Sequence, residues 1–470
     1  MSLETKKITR KISYVTISQA FSLLASALLI LILPKYISVE DYGYWQLFLL
    51  YSGYVGLFHF GYSDGLYIKI GGRNLNELDK DSLSGQFYIF SIFQLLFSIV
   101  IIFLAANYNG DANKQFIFVA VAVYLLIENI SKLLSFMLLA TDNSIVYSKS
   151  VLIDKLFTAI FIVFLAFGVS TTYLYVIFIY VIARSLSLIY LVWQLRFFFR
   201  RNTLERETFK NNFRSLIDLS KLGIVLTISN ILGTLIIAIG RLFVERFWNI
   251  DYFAKISLSI SLSMFLIAII SQVSLVLYPF LRNTDYKRQK TFLYFGSISL
   301  GFASMICFGI YFLIYLLIQY WLKNYTDSLS YLVYLFPIIL FESKTQVIYT
   351  TYCKSLKKLR ALFFINAIVL LFSMVLYYIA IRFESIEIVL ISMCLSLMLR
   401  SILLNIYLFK FFNLRIDKYF AFEIVFSILF VLINKLFGVL SLLVLYTITS
   451  AIMILVYRKD LFFIYKKVKV

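Results

Sequence analysis

Apolar runs follow one another almost without interruption from residue 13 to residue 457, which leaves membrane-crossing helices as the workable architecture. The runs lie near 13–34, 43–61, 86–106, 115–139, 150–168, 172–195, 219–243, 256–279, 292–319, 329–350, 361–381, 386–409, 419–434 and 438–457. They predict about fourteen helices, most long enough to cross ~30 Å of hydrocarbon at ~1.5 Å per residue. The penultimate run is short and holds Glu423 near its start. A transmembrane barrel is excluded, because barrel strands are short and alternate polar with apolar residues. Only 14% of the 470 residues are charged, against about 25% in soluble domains. The expected fold is an all-α, polytopic membrane protein.

A formal charge of +20 invites a nucleic-acid partner, but the placement of the cations removes that reading. With alternate loops on opposite sides, the side holding the N-terminus takes about 32 of the Lys and Arg residues and the other about 7. The excess is the positive-inside signal, and both termini are expected in the cytoplasm. Residues 1–11 are polar and basic, yet the run that follows is too long for a secretory signal and ends Leu33-Pro34-Lys35. Trp45, Trp193, Trp248 and Trp321 fall near predicted span ends, where indoles favour the headgroup layer. Three dispersed cysteines and one histidine, His59, supply neither a disulfide frame nor a metal site, and no cofactor is implied. His59 reads as an interfacial side chain solvated by headgroups. Asp64 and the Asp154-Lys155 pair read as boundary residues within reach of water.

Short echoes at a common offset of roughly 210–216 residues divide the chain into halves. Thr16-Ile17-Ser18-Gln19 returns as Thr227-Ile228-Ser229-Asn230, and Asp41-Tyr42 as Asp251-Tyr252. Ser131-Lys132 returns as Ser343-Lys344, and Arg184-Ser185-Leu186 as Arg400-Ser401-Ile402. Six spans separate equivalent points, so the halves enter the membrane the same way round, related by a pseudo-twofold axis along its normal. The expected organisation is a six-helix bundle over 1–200, a basic cytoplasmic linker over 201–218 with Arg201, and a second bundle over 219–410. Two extra helices and a basic tail follow over 411–470.

The last two echoes put cations inside apolar runs, where a charge costs at least ~2.5–3.5 kcal/mol. Glu128 and Lys132 lie one turn apart on one face, as a self-neutralising pair or as a substrate contact tuned by a carboxylate. Glu342 and Lys344 are two apart and point to nearly opposite sides of their helix, so each needs a partner elsewhere. Arg184 and Arg400 have no carboxylate within a turn and should face a bundle interior. Arg241 and Glu245, one turn apart at an outer span end, form an outer gate or an interfacial pair. A cationic floor of Arg184, Arg400, Lys132 and Lys344 suits a phosphate-bearing substrate, since guanidinium binds phosphate oxygens bidentately. The bland alternative is interhelical salt bridging of these cations to Glu128 and Glu342.

The basic N-terminus, the loop Ile37-Ser38-Val39-Glu40-Asp41-Tyr42-Gly43, the start Tyr44-Trp45-Gln46 and the six-plus-six-plus-two plan resemble a known family. They resemble the O-antigen and capsule repeat-unit flippases, the polysaccharide-biosynthesis branch of the multidrug/oligosaccharidyl-lipid/polysaccharide exporter superfamily. The resemblance implies a flippase of the bacterial cytoplasmic membrane that moves an undecaprenyl-pyrophosphate-linked oligosaccharide by alternating access, making and breaking no bond. It also implies a polysaccharide polymerase and a chain-length regulator as partners. Family cavities are lined mainly by spans 1, 2, 7 and 8, whereas these cations sit on spans 4, 6, 10 and 12. A cation-coupled multidrug antiporter would use Glu128 or Glu342 as its titrating carboxylate. A membrane glycan polymerase is disfavoured because no outward loop exceeds about 15 residues, too few to fold around an acceptor. A peptidoglycan-precursor flippase is a close cousin that the sequence leaves open.

Overall fold

The computed structural model describes residues 3–165, 171–196, 206–415 and 418–468, and among them every regular element is a helix. The chain divides into two compact units, Met1–Ile231 and Leu232–Val470. Unit 1 holds α1 (Leu3–Leu31), α2 (Leu33–Tyr36), α3 (Val39–Ser52), α4 (Tyr62–Ile70), α5 (Lys80–Ala106), α6 (Ala112–Ala140), α7 (Ser144–Leu165) and α8 (Tyr173–Leu195). The boundary falls inside α9 (Arg206–Phe247). Unit 2 continues with α10 (Ile250–Ser271), α11 (Val273–Arg282), α12 (Tyr286–Ile306), α13 (Ile310–Tyr320), α14 (Ser328–Leu335), α15 (Ile338–Lys344) and α16 (Thr350–Ser355). It ends with α17 (Leu359–Arg382), α18 (Ile386–Phe411) and α19 (Lys418–Val468).

Ten described stretches are long and apolar enough to cross a membrane, or eleven if the pair bent by 44° between Leu335 and Ile338 is one span. The difference from fourteen has local causes. The second predicted run breaks after Ser52, α7, which holds the fifth, carries Lys149, Asp154 and Lys155, and the tenth bends at Pro337. The last two runs are joined in α19, and Gly438 divides them with φ 78°, a conformation that costs glycine alone little. Arg200 and Arg201 lie outside the described residues, and 206–218 are already the first turns of α9.

Capping explains one of the sequence echoes. Ser38 caps α3 by accepting from the Asp41 amide at 3.0 Å, and Asn249 caps α10 by accepting from the Tyr252 amide at 2.9 Å. Asp41 and Asp251 each stand in a first turn, where the helix dipole favours a carboxylate. Asp41 also accepts from the Tyr173 amide at 3.1 Å, fastening the start of α3 to the start of α8.

The break in the second run has a packing purpose. After a 3-10 turn over Val55–His59, Phe60 and Gly61 take positive φ (45° and 79°) and α4 sets off along α9. Gly61 and Gly65 face Leu219 and Gly223 of α9 backbone to backbone. A methyl on Gly65 would collide with the Leu219 carbonyl, and one on Gly223 with the Gly61 carbonyl. Small residues four apart permit such close crossings. The Thr227 hydroxyl donates to Asp64 Oδ2 across the same seam at 2.6 Å.

Each unit has its own apolar core. In unit 1, Tyr62 and Leu66 of α4 meet Leu134 and Met137 of α6, Leu191 of α8 and Leu219 of α9. In unit 2, Leu281 of α11, Leu293 of α12 and Tyr352 of α16 pack against Leu404 and Leu408 of α18. Outward faces are apolar too: α17 exposes Phe364, Ile368, Leu371 and Val375 while burying Asn366, Ser373 and Tyr377. That inversion, with polar groups inward and aliphatic ones outward, is what hydrocarbon surroundings require. Trp45 departs from the interfacial role expected of it: it is fully buried and stacks on Phe48 with ring centroids 5.7 Å apart.

Candidate functional site

The membrane-depth charges predicted to need partners find them on other helices. In unit 1, Arg184 of α8 donates from Nε to Glu128 Oε2 of α6 at 2.6 Å, and its Nη1 lies 3.6 Å from Asp154 Oδ2 of α7. Tyr124 donates to the same Glu128 oxygen at 3.1 Å, and Asp154 holds Lys155 at 3.1 Å. One guanidinium therefore ties three helices. Asp154 is buried, so its expected place in boundary water is corrected.

Glu128 turns to Arg184, and Lys132 turns instead to His59, with Nζ 3.0 Å from Nε2 and 5.5 Å from the Phe136 ring centroid. The expected self-neutralising pair on α6 does not form. A guanidinium offers fixed, directional donors that a lysine one turn along the same helix lacks. His59 is buried rather than solvated by headgroups, because the 3-10 turn carries it inward against α6. The Gly61 amide nitrogen lies 3.1 Å from its Nδ1 and Asp64 Oδ2 3.8 Å from its Nε2, and a neutral ring accepts at one of its two nitrogens, from Gly61 or from Lys132. Asp64 is likewise buried, in the α4–α9 seam. Of the four cations that recur between the halves, Lys132 is the one whose bonding partner is not a carboxylate.

Unit 2 repeats the arginine bridge. Arg400 of α18 donates from Nη1 to Glu342 Oε1 of α15 at 3.1 Å, and from Nε to Asn366 Oδ1 of α17 at 2.9 Å. The Gly233 carbonyl of α9 accepts from the same Nη1 at 3.4 Å. Gln346 donates to Glu342 at 3.0 Å. A side chain at Gly233 would strike the guanidinium, so the glycine is what admits it. Arg184 and Arg400 are 216 residues apart and Glu128 and Glu342 214 apart, so each unit carries an arginine–glutamate bridge at nearly the same sequence offset.

Lys344 breaks the parallel. It closes α15, next to a π-helical turn over Thr345–Tyr349, and reaches Glu423 Oε1 of α19 at 2.6 Å. Both side chains are 0% exposed, and the ammonium lies 5.2 Å from the Phe420 ring centroid. Glu342 and Lys344 thus face different helices, as their spacing requires. Glu423 lies on α19, and Lys132 instead meets His59. Arg241 of α9 donates to Ser257 Oγ of α10 at 2.9 Å and lies 5.1 Å from the Phe253 ring centroid.

Sequence reasoning passed over Asp154, Asn366 and Glu423 as partners. A signal existed for Glu423: a carboxylate inside an apolar run has to meet a cation, and Lys344 was waiting for an anion. Chemically, these bridges can hold helices in register, or can exchange a carboxylate for an oxyanion of similar geometry.

The described residues build an all-helical architecture with ten or eleven apolar stretches long enough to cross a membrane and charged side chains paired between helices. It is the fold seen in a lipid II flippase, MurJ, in an inward closed conformation, with a TM-score of 0.65 at 15% identity over 96% of this chain and 100% of that one. An inward-facing multidrug resistance MATE family transporter of the MOP superfamily shares it with a TM-score of 0.55 at 12% identity, over 86% of this chain and 98% of that one. No family model and no curated protein matches the sequence.

Proposed function

We propose that this protein is a flippase that carries an undecaprenyl-pyrophosphate-linked oligosaccharide, a glycan repeat unit of the O-antigen or capsule type, across the bacterial cytoplasmic membrane by alternating access. What carries the reading is the overlap of almost the whole chain with a lipid II flippase, together with intramembrane cations recurring at equivalent places in both units. An anionic pyrophosphate is the cargo that such cations suit. Lys132 is the first candidate to meet it, since its partner His59 is not an anion and yields the ammonium at low cost. Arg184, Arg400 and Lys344 would meet phosphate only by releasing Glu128, Glu342 and Glu423, so in the resting state they also brace the helices. Arg241, held by a serine hydroxyl, adds a further contact.

One observation favours a second reading, a cation-coupled multidrug antiporter: the shared fold of the MATE transporter. The carboxylates Glu128, half-buried, and Glu342 and Glu423, buried, are each engaged by a cation here, which counts against their serving a cationic drug. Reconstitution separates the two. Proteoliposomes should move a fluorescent polyprenyl-pyrophosphate oligosaccharide between leaflets, scored by quenching of the outer leaflet. Movement of a cationic dye with none of the lipid-linked glycan would replace the flippase by the antiporter.

A further inference from the structure

Unit 1 contains a cavity of about 400 Å³ that no residue of the ionic bridges lines, although His59, the partner of Lys132, stands at its floor. Its walls are Phe90, Phe93 and Phe97 of α5, Phe58 and Phe60 of the turn between α3 and α4, and Phe213 of α9. The polar groups at its floor are already satisfied: Gln94 donates to the Phe58 carbonyl at 2.9 Å and accepts from Asn129 at 2.7 Å, and His59 bonds Lys132. A buried, satisfied floor beneath aromatic walls leaves room for hydrocarbon and offers water nothing to bind.

The rim is different. Lys210, Arg214, Ile217 and Lys221 recur at helical spacing on one face of α9, and Ile217 and Lys221 line the cavity. All three cations are exposed. Asp218 lies 3.8 Å from Lys221 with both groups largely solvated, so the stripe keeps a net positive charge. These residues lie at the end of the seventh apolar run assigned to the basic side of the membrane, where anionic headgroups gather.

We propose that this groove is a binding site for an anionic glycerophospholipid of the surrounding bilayer. One acyl chain lies among the phenylalanines and the headgroup phosphate sits on Lys210, Arg214 and Lys221. The site is separate from the ionic bridges and holds whether or not the flippase reading does. A bilayer lipid is the occupant because the groove lies on the outward flank of α5, where the apolar side chains Ile92, Leu96 and Ile99 are exposed, as a hydrocarbon-facing surface requires. The bound lipid would wedge α5 against the first turns of α9.

The full-length protein, in nanodiscs or detergent, is titrated with phosphatidylglycerol, phosphatidylcholine and undecaprenyl phosphate, and bound lipid is counted by native mass spectrometry. Phosphatidylglycerol should bind about tenfold more tightly than phosphatidylcholine. The preference should fall to within twofold in K210Q/R214Q/K221Q, whose changes are all on exposed side chains. Ile217→Trp, which fills the groove, should abolish the bound lipid of either kind; if it fails to fold, the charge variant decides alone. Equal binding of the two phospholipids, binding unaltered in the charge variant, or displacement of phosphatidylglycerol by equimolar undecaprenyl phosphate would each overturn the proposal.

Discussion

Lys344 and Glu423 meet at 2.6 Å with neither side chain exposed, an ion pair closed off from solvent on every side. A buried pair broken on one side leaves a charge without compensation, at a cost of ~3–5 kcal/mol. Lys344→Met and Glu423→Gln should each lower the thermal unfolding temperature in detergent. The double variant K344M/E423L, which removes both charges at similar volume, should recover most of the loss. Single variants as stable as the wild type would mean that the pair does not hold α15 to α19.

The paired arginine bridges allow bracing to be separated from cargo contact. R400E/E342R keeps an ion pair between α15 and α18 but moves the guanidinium to the other helix. Under the proposed function the exchange should restore the stability lost in Arg400→Glu by ~3 kcal/mol or so while leaving glycan translocation at background. Full recovery of translocation would make Arg400 a brace and nothing more.

Lys132 gives a complementary test. Its partner is an imidazole rather than a carboxylate, so Lys132→Gln removes a cation without orphaning an anion. The expected loss of stability is within ~1 kcal/mol, the range of one modest hydrogen bond. Translocation should nevertheless fall at least tenfold, measured in the same vesicles. A stable variant with wild-type translocation would remove Lys132 from the cargo path.

The α4–α9 seam predicts a sharp contrast between two glycines. A methyl at Gly223 meets the backbone carbonyl of Gly61, which has nowhere to go, and Gly223→Ala should cost ~1–3 kcal/mol or prevent folding. Gly53, in ordinary helical conformation with its nearest neighbour 3.4 Å from an added methyl, should accept alanine with little change. Expression and melting of the two variants side by side would show whether the close crossing matters.

Helix placement was largely legible in the sequence because hydrocarbon demands unbroken apolar runs, and the described part of most runs lies on α-helix. The breaks were harder. Gly53, Gly56 and Gly61 in nine residues signalled the interruption of the second run, yet apolar continuity through Val55 and Phe60 hid it. Pro337 signalled the bend of the tenth in the same muted way. Need for a partner could be inferred for Arg184, Arg400 and Lys344, while its identity could not. The bonds run between residues 56, 58 and 79 apart in sequence, across helices whose facing is decided by packing. The local rule that joined Glu128 to Lys132 lost to a distant guanidinium for the same reason.

The two glycines beside the ionic bridges carry an evolutionary consequence. Gly233 clears space for the Arg400 guanidinium, and Gly301 does the same where Glu423 and Lys344 join, since a methyl there would meet the Glu423 carboxylate. Selection on those glycines is therefore conditional on the charges they accommodate. In a lineage that has lost the arginine or the carboxylate, bulkier residues become permissible at 233 or 301, so each glycine and its ion pair should be gained and lost together.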